Sequence, residues 1–370
     1  MSEKTKLSKY IHLLNANELK FQKPLVAFIN DPNNGFAISD HLFVTPHETV
    51  FDNLREYPNV RLDLSDEHLI NKYAPLCDFI INQGVSDMRT MLMIKRSYLK
   101  KVVFRTWGGS HQPVRRSDFG FIRYYIERVK DFGYKLYMRA TLGQCAAVGI
   151  ANMVDIIDLK KWINNVPLIP LNFYKSTTFD LISRVKKEHN GGSDSINILV
   201  GHQGDPHEKH YKIVELLLKR FSDQNIHIYV PLSYGNSEYI NKAVSEIKGL
   251  KSKQVTVLTK LLPFEDYISL LNTIDIGIFD TKTSMALGNI CILISLNKKI
   301  VLNDEGVIKE TFDYFNIPCI TSSQLDTISF RVLTNHVEYG ENADEFRVPP
   351  ISKQVKDWNK LFDLLENGSK

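Results

Sequence analysis

The amino-acid sequence predicts an α/β protein made of two successive doubly wound domains, each a parallel sheet covered by helices. Short β-branched apolar runs alternate with amphipathic helical stretches along most of the chain, which is the pattern of such sheets. The alternation pauses at NGGSDS, residues 190–195, where loop-forming residues cluster, and it starts again at residue 196. The 370 residues are enough for two domains of ordinary size.

The first domain is predicted over residues 1–175. Its helices are predicted at FQKPLVAFIND (21–31) and MRTMLMIKRSYL (88–99). A further helix, TFDLISRVKKEH (178–189), lies in the segment 176–194, which we interpret as the linker. The predicted strands are short apolar runs: YIHLLN (10–15), HLFVT (41–45), CDFIIN (77–82), KVVFRTW (101–107), AAVGIAN (146–152) and VPLIPLNF (166–173).

The second domain is predicted over residues 195–340, and Pro263 suits the first turn of one of its helices. Residues 341–370 are predicted to form a tail with a closing amphipathic helix, KQVKDWNKLFDLLENG. The predicted strands are INILVG (196–201), NIHIYVPL (225–232), QVTVLTKL (254–261), DIGIFD (275–280), KKIVLND (298–304) and PCITS (318–322). The helices between them are HEKHYKIVELLLKRF (207–221), SEYINKAVSEIKGL (237–250), PFEDYISLLNTI (263–274) and GNICILISLN (288–297).

Composition narrows the class of protein. With 43% hydrophobic and 24% charged residues the chain is typical of a soluble globular protein, and a net charge of +4 does not suggest a nucleic-acid binder. The four cysteines are widely spaced without CxxC pairing, so buried free thiols in a reducing compartment are expected. The polar N-terminus lacks the apolar core of a signal peptide, and the longest apolar run, ICILISL, is too short to span a bilayer. We therefore expect a cytoplasmic protein.

Positive charge is concentrated in one part of the chain. Residues 91–140 carry twelve Lys and Arg against three acids, and aromatic residues are interleaved with them. A basic aromatic surface suits an anionic membrane face or a phosphate-bearing acceptor. The alternative is a solvated helix face with ordinary core aromatics.

The loop LVGHQGDPHEKH (199–210) is the first candidate site, because it follows a predicted strand and carries three histidines and two acids. Gly201 and Gly204 would let backbone amides approach a phosphate at the start of a helix, and Asp205 before Pro206 suits an N-cap. A metal site is a second interpretation, although His202 and its neighbours match no zinc spacing. Plain helix capping is the third.

Three other loops follow predicted strands, and doubly wound sheets bind ligands at the carboxyl ends of strands where the strand order reverses. In TKTSMALGN (281–289), Ser284, Gly288 and Asn289 suit a diphosphate site or a tight turn capped by Asn289. Tyr234 in SYGN could stack on a base, bond a phosphate or pack in the core. In FRTWGGSH, Trp107 with Gly108 and Gly109 could form a sugar platform with His111 as base, or a structural turn.

Several known signatures are missing from the sequence. It has no DxD motif flanked by apolar strand residues, no GxGxxG after the first strand, no GxSxG and no P-loop. A metal–diphosphate site of the DxD kind and a nicotinamide cofactor are therefore not expected.

The order of motifs resembles that of the TDP-N-acetylfucosamine:lipid II N-acetylfucosaminyltransferases, glycosyltransferase family 56, which have the two-domain GT-B fold with a cleft between Rossmann-like domains. The resemblance is carried by IHLLNANELK, FRTWGGS, ILVGHQGDPHEKH, IYVPLSYGN, KLLPFEDYISLLNTIDIGIF and LGNICILISLNKKIVLND. It is strongest over residues 195–305 and looser over 1–175.

The resemblance implies roles for particular residues, and it implies no metal and no cofactor. The donor site in the second domain would comprise Gly201, His202, Gly204, Asp205, Tyr234, Leu262, Phe264, Ser284, Gly288 and Asn289. The acceptor site in the first domain would comprise Asn15, Trp107, Gly108 and Gly109. Ser110 stands where the family has an acid, so His111 is the candidate base. Ile292 stands where many GT-B enzymes have a ribose-binding glutamate, which is compatible with a deoxyribose nucleotide.

We therefore expect a cytoplasmic glycosyltransferase, peripheral on the inner face of the cell membrane through its basic residues 91–140. It would move a deoxy-amino sugar from a nucleotide diphosphate, TDP-N-acetylfucosamine or a similar donor, to a polyprenyl-diphosphate-linked acceptor in surface polysaccharide assembly. The alternatives are a GT-B transferase that uses a UDP- or GDP-sugar, and a nucleotide-sugar epimerase of GT-B architecture. A two-domain solute-binding protein is a further alternative, but such proteins are usually exported.

Overall fold

The structure, a computed structural model, describes residues 6–15, 19–84, 92–106, 121–172, 176–188 and 195–367. The chain divides into two compact units. The first contains Met1–Ser176 together with Pro350–Lys370, and the second contains Thr177–Pro349. Each unit is built on one parallel sheet, and we describe the two units separately.

The first unit contains a seven-stranded sheet of order β3-β2-β1-β4-β5-β6-β7 in which every neighbouring pair is parallel. Strand order reverses between β1 and β4, which lie side by side. The short strand β3 was not predicted, since only Val60 of its three residues is buried. The strands are β1 (Ser8–Leu13), β2 (His41–Thr45), β3 (Val60–Leu62), β4 (Cys77–Gln83), β5 (Val102–Thr106), β6 (Ala147–Ile150) and β7 (Leu168–Pro170).

The helices that the structure describes before residue 176 are α1 (Leu19–Asn30), α2 (Glu48–Asp52), α3 (Leu69–Tyr73), α4 (Phe121–Leu142) and α5 (Ile156–Trp162). Part of the helix predicted over 88–99 lies outside the described residues, and its end differs from the prediction. Residues Arg96–Lys101 form a short 3-10 turn that buries Leu99. The 22-residue helix α4 was not predicted as an element.

The second unit contains a six-stranded parallel sheet of order β10-β9-β8-β11-β12-β13. Strand order reverses between β8 and β11, where Ile198 pairs with Ile276 and Val200 with Ile278. The strands are β8 (Ile196–Val200), β9 (Ile226–Pro231), β10 (Val255–Leu258), β11 (Ile276–Phe279), β12 (Lys299–Leu302) and β13 (Ile320–Thr321).

Helices lie in the predicted segments 207–221, 237–250, 263–274 and 288–297, whereas those at Val307–Tyr314 and Phe330–Thr334 were not predicted. Helix α9 begins directly after Pro263, as predicted. The elements are α6 (Ser176–Glu188), α7 (His210–Arg220), α8 (Ser237–Gly249), α9 (Phe264–Thr273), α10 (Leu287–Ser295), α11 (Val307–Tyr314) and α12 (Phe330–Thr334). Ile198, Val200, Ile228 and Ile278 of the central strands are buried in the core of this unit.

The segment predicted as a linker contains α6, which packs onto the second unit. Leu181, Ile182 and Val185 of this helix are buried. Asn272 of α9 donates its side-chain amide to the Val185 carbonyl over 2.8 Å. Helix α6 therefore forms part of the folded second unit, because its apolar face finds partners there.

The C-terminal helix α13 (Ile351–Asn367) belongs to the first unit. Trp358 is fully buried and donates its indole N–H to the Asn172 carbonyl over 3.1 Å. Glu366 accepts from Lys9 Nζ and from Tyr10 Oη, both over 2.6 Å. The chain therefore returns to the first unit after completing the second. The apolar face of α13 packs there against the first sheet.

Within the described part of the chain, no helix is both long enough and apolar enough to cross a membrane.

Candidate functional site

The loops that follow the strands of the second sheet lie at its carboxyl edge. Two of them flank the point where strand order reverses: the glycine loop, residues 201–209 after β8, and the second loop, residues 280–286 after β11. The amide of Gly201 donates to the Ile278 carbonyl over 2.9 Å, so the glycine loop leaves β8 next to β11. Every residue predicted for the donor site of this unit belongs to a loop or helix start at this edge.

The glycine loop requires glycine for steric reasons. Gly201 has a φ of +74°, and a β-carbon there would overlap the Glu208 carboxylate and the His210 ring. Gly204 forms a parallel bridge with Gly235, whose φ is +121°. A β-carbon on Gly235 would lie 2.9 Å from the Gly204 nitrogen. The glycine loop and the loop after β9 can approach this closely because neither Gly204 nor Gly235 carries a side chain.

The amides of the glycine loop already have an anionic partner. Glu208 is fully buried, and its Oε2 accepts from the amide of His202 over 2.8 Å and from that of Gln203 over 3.4 Å. Its Oε1 forms a short hydrogen bond with His202 Nδ1. His210 Nε2 lies 3.1 Å from Oε2, at ion-pair distance but poorly aligned for a hydrogen bond. An internal carboxylate therefore occupies the position that we expected a phosphate to fill.

Electrostatics keep this carboxylate ionised. Burial alone would raise the pKa of Glu208, but the hydrogen bond with His202 and the close His210 imidazole outweigh that effect and hold it at about 2. His210 is also fully buried, and its Nδ1 lies 3.0 Å from Tyr239 Oη. The loop is thus organised around a buried negative charge between two histidines.

Asp205 has the capping role that was one of the sequence interpretations. Its carboxylate accepts from the His207 amide and lies beside His207 Nδ1, both at 2.8 Å. The residues after it form a short 3-10 turn, Pro206–Glu208, followed by Lys209 with a φ of +50°. Helix α7 starts only at His210, later than predicted, because the chain first turns Glu208 inwards.

Asp280, which was not predicted as a site residue, joins the two loops to the neighbouring strands. It is nearly buried, and its Oδ2 accepts from Lys209 Nζ over 2.7 Å. Its Oδ1 accepts from Ser322 Oγ over 2.7 Å and forms a short hydrogen bond with Asn303 Nδ2. One carboxylate therefore links the loops after β8, β11, β12 and β13.

The second loop leads into the N-terminus of α10. Ala286 precedes the helix with a φ of +65° and supplies no side-chain cap, so the first helical amides have no intrahelical or capping partner. Asn289 does not cap them, because it is the third residue inside the helix, and its Nδ2 donates to Tyr267 Oη over 2.7 Å. Gly288 is exposed, and a β-carbon there would meet open space. Ser284 is half-buried in this loop, and the Thr281 and Thr283 hydroxyls lie 2.9 Å apart.

Aromatic and apolar side chains line the other side of this edge. Tyr234 is 48% exposed, and its ring lies edge-on to that of His202 with the centroids 6.4 Å apart. Leu262 is half-buried, and Phe264, the first residue of α9, is 43% exposed. These side chains offer an apolar surface beside the polar loops.

The corresponding edge of the first sheet holds Asn15. Its Nδ2 donates to Asn82 Oδ1 over 2.5 Å, and its carbonyl accepts from His47 Nε2 over 2.8 Å. This contact lies at the carboxyl ends of β1 and β4, where the order of the first sheet reverses. Trp107, Gly108, Gly109 and His111 lie outside the described residues, which stop at Thr106 and resume at residue 121.

Residues 7–336 match the family described as 4-alpha-L-fucosyltransferase, glycosyl transferase group 56. The chain belongs to this family. This glycosyltransferase was predicted as a member from its motifs, and the match confirms that prediction and separates it from the epimerase and solute-binding alternatives.

Solved structures of low sequence identity confirm the GT-B fold of this glycosyltransferase. HepE from Anabaena, in complex with UDP and glucose, is 12% identical, with 95% of this chain and 99% of that chain covered and a TM-score of 0.56. A glycosyltransferase from Rickettsia africae is 11% identical, with 98% and 96% covered and a TM-score of 0.60. A putative UDP-N-acetylglucosamine 2-epimerase from Listeria monocytogenes is 12% identical, with 96% and 95% covered and a TM-score of 0.53.

Sequence reasoning missed Glu208 and Asp280 in this glycosyltransferase. Asp280 carried a signal, since it closes the predicted strand DIGIFD as an acid directly after apolar residues. Glu208 was counted among the two acids of the loop 199–210, but the sequence carried no signal that this acid turns inwards, because it also opens the segment predicted as a helix. Over the described ranges, no three His, Cys, Asp or Glu side chains are arranged to hold a metal ion.

Proposed function

We propose that this glycosyltransferase transfers a deoxy-amino sugar, such as N-acetylfucosamine, from TDP to a polyprenyl-diphosphate-linked saccharide during assembly of a bacterial surface polysaccharide. The observation that carries the proposal is the pair of loops on either side of the β8–β11 reversal, in a chain of this family. Doubly wound sheets bind nucleotides at such points.

The diphosphate of the donor is best suited to the start of α10. The uncapped amides there and the hydroxyls of Thr281 and Thr283 are hydrogen-bond donors, and the helix dipole favours negative charge. In the reaction, the bond between the anomeric carbon and the diphosphate oxygen breaks and its electron pair leaves with the diphosphate. The acceptor hydroxyl oxygen bonds to the anomeric carbon and gives up its proton. Donors fixed at the leaving diphosphate lower the barrier electrostatically.

The nucleoside is assigned to the side formed by Tyr234, Leu262 and Phe264, whose exposed apolar surfaces can contact a base. Ile292 of α10 is buried, so an apolar side chain stands where many GT-B enzymes have a ribose-binding glutamate. This supports a deoxyribose nucleotide. A UDP- or GDP-sugar is the alternative donor, and HepE was crystallised with UDP.

The acceptor is assigned to the first unit. Asn15, Trp107, Gly108 and Gly109 would bind the lipid-linked saccharide, and His111 would take the proton of its hydroxyl. The contact between Asn15 and Asn82 at the reversal point of the first sheet supports this assignment.

The surface of helix α4 supports the proposal that the protein contacts the cytoplasmic face of an anionic membrane. Apolar side chains lie along one side of it, and we call Tyr125, Ile126, Val129, Phe132 and Leu136 the α4 stripe. All five are more than 45% exposed, and Val129 is 72% exposed. The exposed basic residues Arg123, Arg128, Lys130 and Arg139 flank the stripe. A helix with an apolar face and basic flanks is suited to lie in the interface of an anionic bilayer.

Vesicle binding tests this membrane contact. The purified protein should sediment with phosphatidylglycerol vesicles at low salt, bind phosphatidylcholine vesicles less, and lose part of its binding at high salt. Val129→Glu with Phe132→Glu should abolish binding, whereas Val332→Glu on the second unit, 52% exposed in the wild type, should not. Equal binding by both variants would refute the assignment of α4.

The donor is tested by thermal stabilisation with TDP, UDP, GDP and ADP, with and without EDTA. Binding to the folded protein raises its melting temperature. A rise with TDP that EDTA does not change supports the proposal. A rise only with UDP or GDP would keep the reaction class and replace the donor, and no rise with any nucleotide would contradict the site.

A further inference from the structure

The proposed function gives no role to Glu208 or to its hydrogen-bond partner His202. The two side chains sit in the glycine loop, one fully buried and the other with a side chain that is 12% exposed. Resting on the proposed function, we infer that Glu208 is a positioning residue that holds His202 with its Nε2 edge towards the donor, where this nitrogen binds the diphosphate.

The first step of the argument is the anion already in place. The amides of His202 and Gln203 are donated to Glu208, so they are not available to a phosphate. A phosphate in the same position would also meet the buried carboxylate, and two unshielded anions repel each other strongly at short distance. The glycine loop therefore contacts a diphosphate through a side chain and not through these amides.

The second step is the orientation of the imidazole. Nδ1 of His202 carries a proton that it donates to Glu208 Oε1. Nε2, on the other side of the ring, takes no part in this contact. The ring meets the half-exposed Tyr234 edge-on at 6.4 Å, at the same edge of the sheet as the nucleotide side of the site. A proton added at Nε2 gives an N–H that can donate to a phosphate oxygen, while Glu208 balances its charge.

The third step concerns the surrounding titratable groups. His210 of α7 faces the pair, and Tyr239 of α8 lies next to His210. Tyr234 faces the pair from the loop after β9, and the charge of Glu208 acts on Tyr267 of α9. Burial raises the pKa values of these three tyrosines above their ordinary value, so they are neutral near pH 7. Among the groups just named Glu208 carries the negative charge, and Asp205 of the same loop is paired to His207. Binding of a diphosphate next to His202 is therefore expected to take up a proton.

The test measures proton uptake and affinity by titration calorimetry. TDP, with UDP as a second probe, is titrated at pH 7.5 into the full-length protein in two buffers of different ionisation enthalpy. We expect His202→Gln to weaken TDP binding by about 10- to 100-fold, as for loss of a charged hydrogen bond, and to reduce the proton uptake. Glu208→Gln should reduce both as well, since its amide no longer balances the imidazolium.

Two controls separate this role from a structural one. His207→Gln changes an exposed histidine of the same loop, paired to Asp205, and should leave affinity and uptake unchanged. Thymidine lacks the diphosphate, so the wild type and His202→Gln should bind it equally. If the buried Glu208→Gln variant does not fold, His202→Gln decides the question alone.

The outcomes distinguish the two proposals. Wild-type TDP binding that His202→Gln leaves unchanged in affinity and uptake would overturn the role of the pair and leave the proposed function standing. Equal loss of TDP and thymidine binding would show a structural role for His202 and would also overturn it. A wild-type protein that binds neither nucleotide would overturn both proposals.

Discussion

Lowering the pH should destabilise the first unit through two buried histidines. His12 Nε2 lies 3.0 Å from His41 Nδ1 within the core, and the two side chains are almost inaccessible to water. They stack on Phe43 and Tyr10, with ring centroids 4.5 and 5.1 Å apart. Burial lowers the pKa of His41 from 6.5 to about 4 and lowers that of His12 well below its ordinary value.

The sign and size follow from proton binding. Between about pH 6.5 and pH 4 the unfolded chain binds protons that the folded unit does not, so the free energy of unfolding falls as the pH falls. For His41, the difference between 6.5 and about 4 corresponds to about 3 kcal/mol lost by pH 4. Each histidine contributes up to about 1.4 kcal/mol per pH unit within this window. His227 lies in the second unit, where burial also lowers its pKa, so it should destabilise that unit in the same direction and does not enter the slope of the first unit.

The assay is urea unfolding at pH 7, 6 and 5, followed by tryptophan fluorescence. All three tryptophans, Trp107, Trp162 and Trp358, belong to the first unit, so the signal reports that unit alone. His12→Leu should reduce the slope of unfolding free energy against pH by up to about 1.4 kcal/mol per pH unit. His336→Gln, an exposed histidine of the second unit, is the control and should not change it. Identical slopes in the wild type and His12→Leu would refute the reasoning.

Substitutions at Gly235, Trp358 and Asp280 test separate parts of the structure. Gly235→Ala should lower the free energy of unfolding by more than about 2 kcal/mol, because alanine is strained at a φ of +121° and would overlap the Gly204 backbone. The control Gly249→Ala should not destabilise the protein, since its β-carbon meets open space. Circular-dichroism melting compares the two variants. Trp358→Ala should cost about 3–5 kcal/mol in urea unfolding of the first unit, and a change below 1 kcal/mol would contradict its packing. Asp280→Ala should lower the free energy of unfolding by about 3 kcal/mol in calorimetric melting, because Lys209 and Ser322 lose their acceptor. Asp280→Asn should cost less, because its side-chain oxygen still accepts a hydrogen bond.

Local sequence patterns predicted most of the parallel sheets and the edge where the candidate site lies. The segment INILVG contains β8, and Pro263 marked the start of α9, because β-branched periodicity and proline geometry act within a few residues. The pairing of the two loops also followed from sequence, since the carboxyl ends of parallel strands meet at one edge. Asp205 proved to be a cap, one of the interpretations that its place before a proline allowed.

Features that depend on distant contacts were not predictable in the same way. Nothing local distinguishes a glutamate that turns inwards between two histidines from one on a solvated helix face, so Glu208 was missed. Strand β3 was too short to show a period. The position of α13 in the first unit depends on packing against residues more than 300 positions earlier in the chain, such as Tyr10.

The return of α13 to the first unit has a consequence for the order in which the protein can fold during synthesis. The second unit is one continuous segment, so it can be completed before Pro350 leaves the ribosome. The first unit lacks its last helix while the 173 residues of the second unit, Thr177–Pro349, are made, which takes about 9 to 35 s at ordinary elongation rates. For that interval the surface around Tyr10, Phe28 and Phe36 that α13 later covers is open to solvent. The nascent chain is therefore expected to present a chaperone-binding apolar surface that closes only after α13 has left the ribosome.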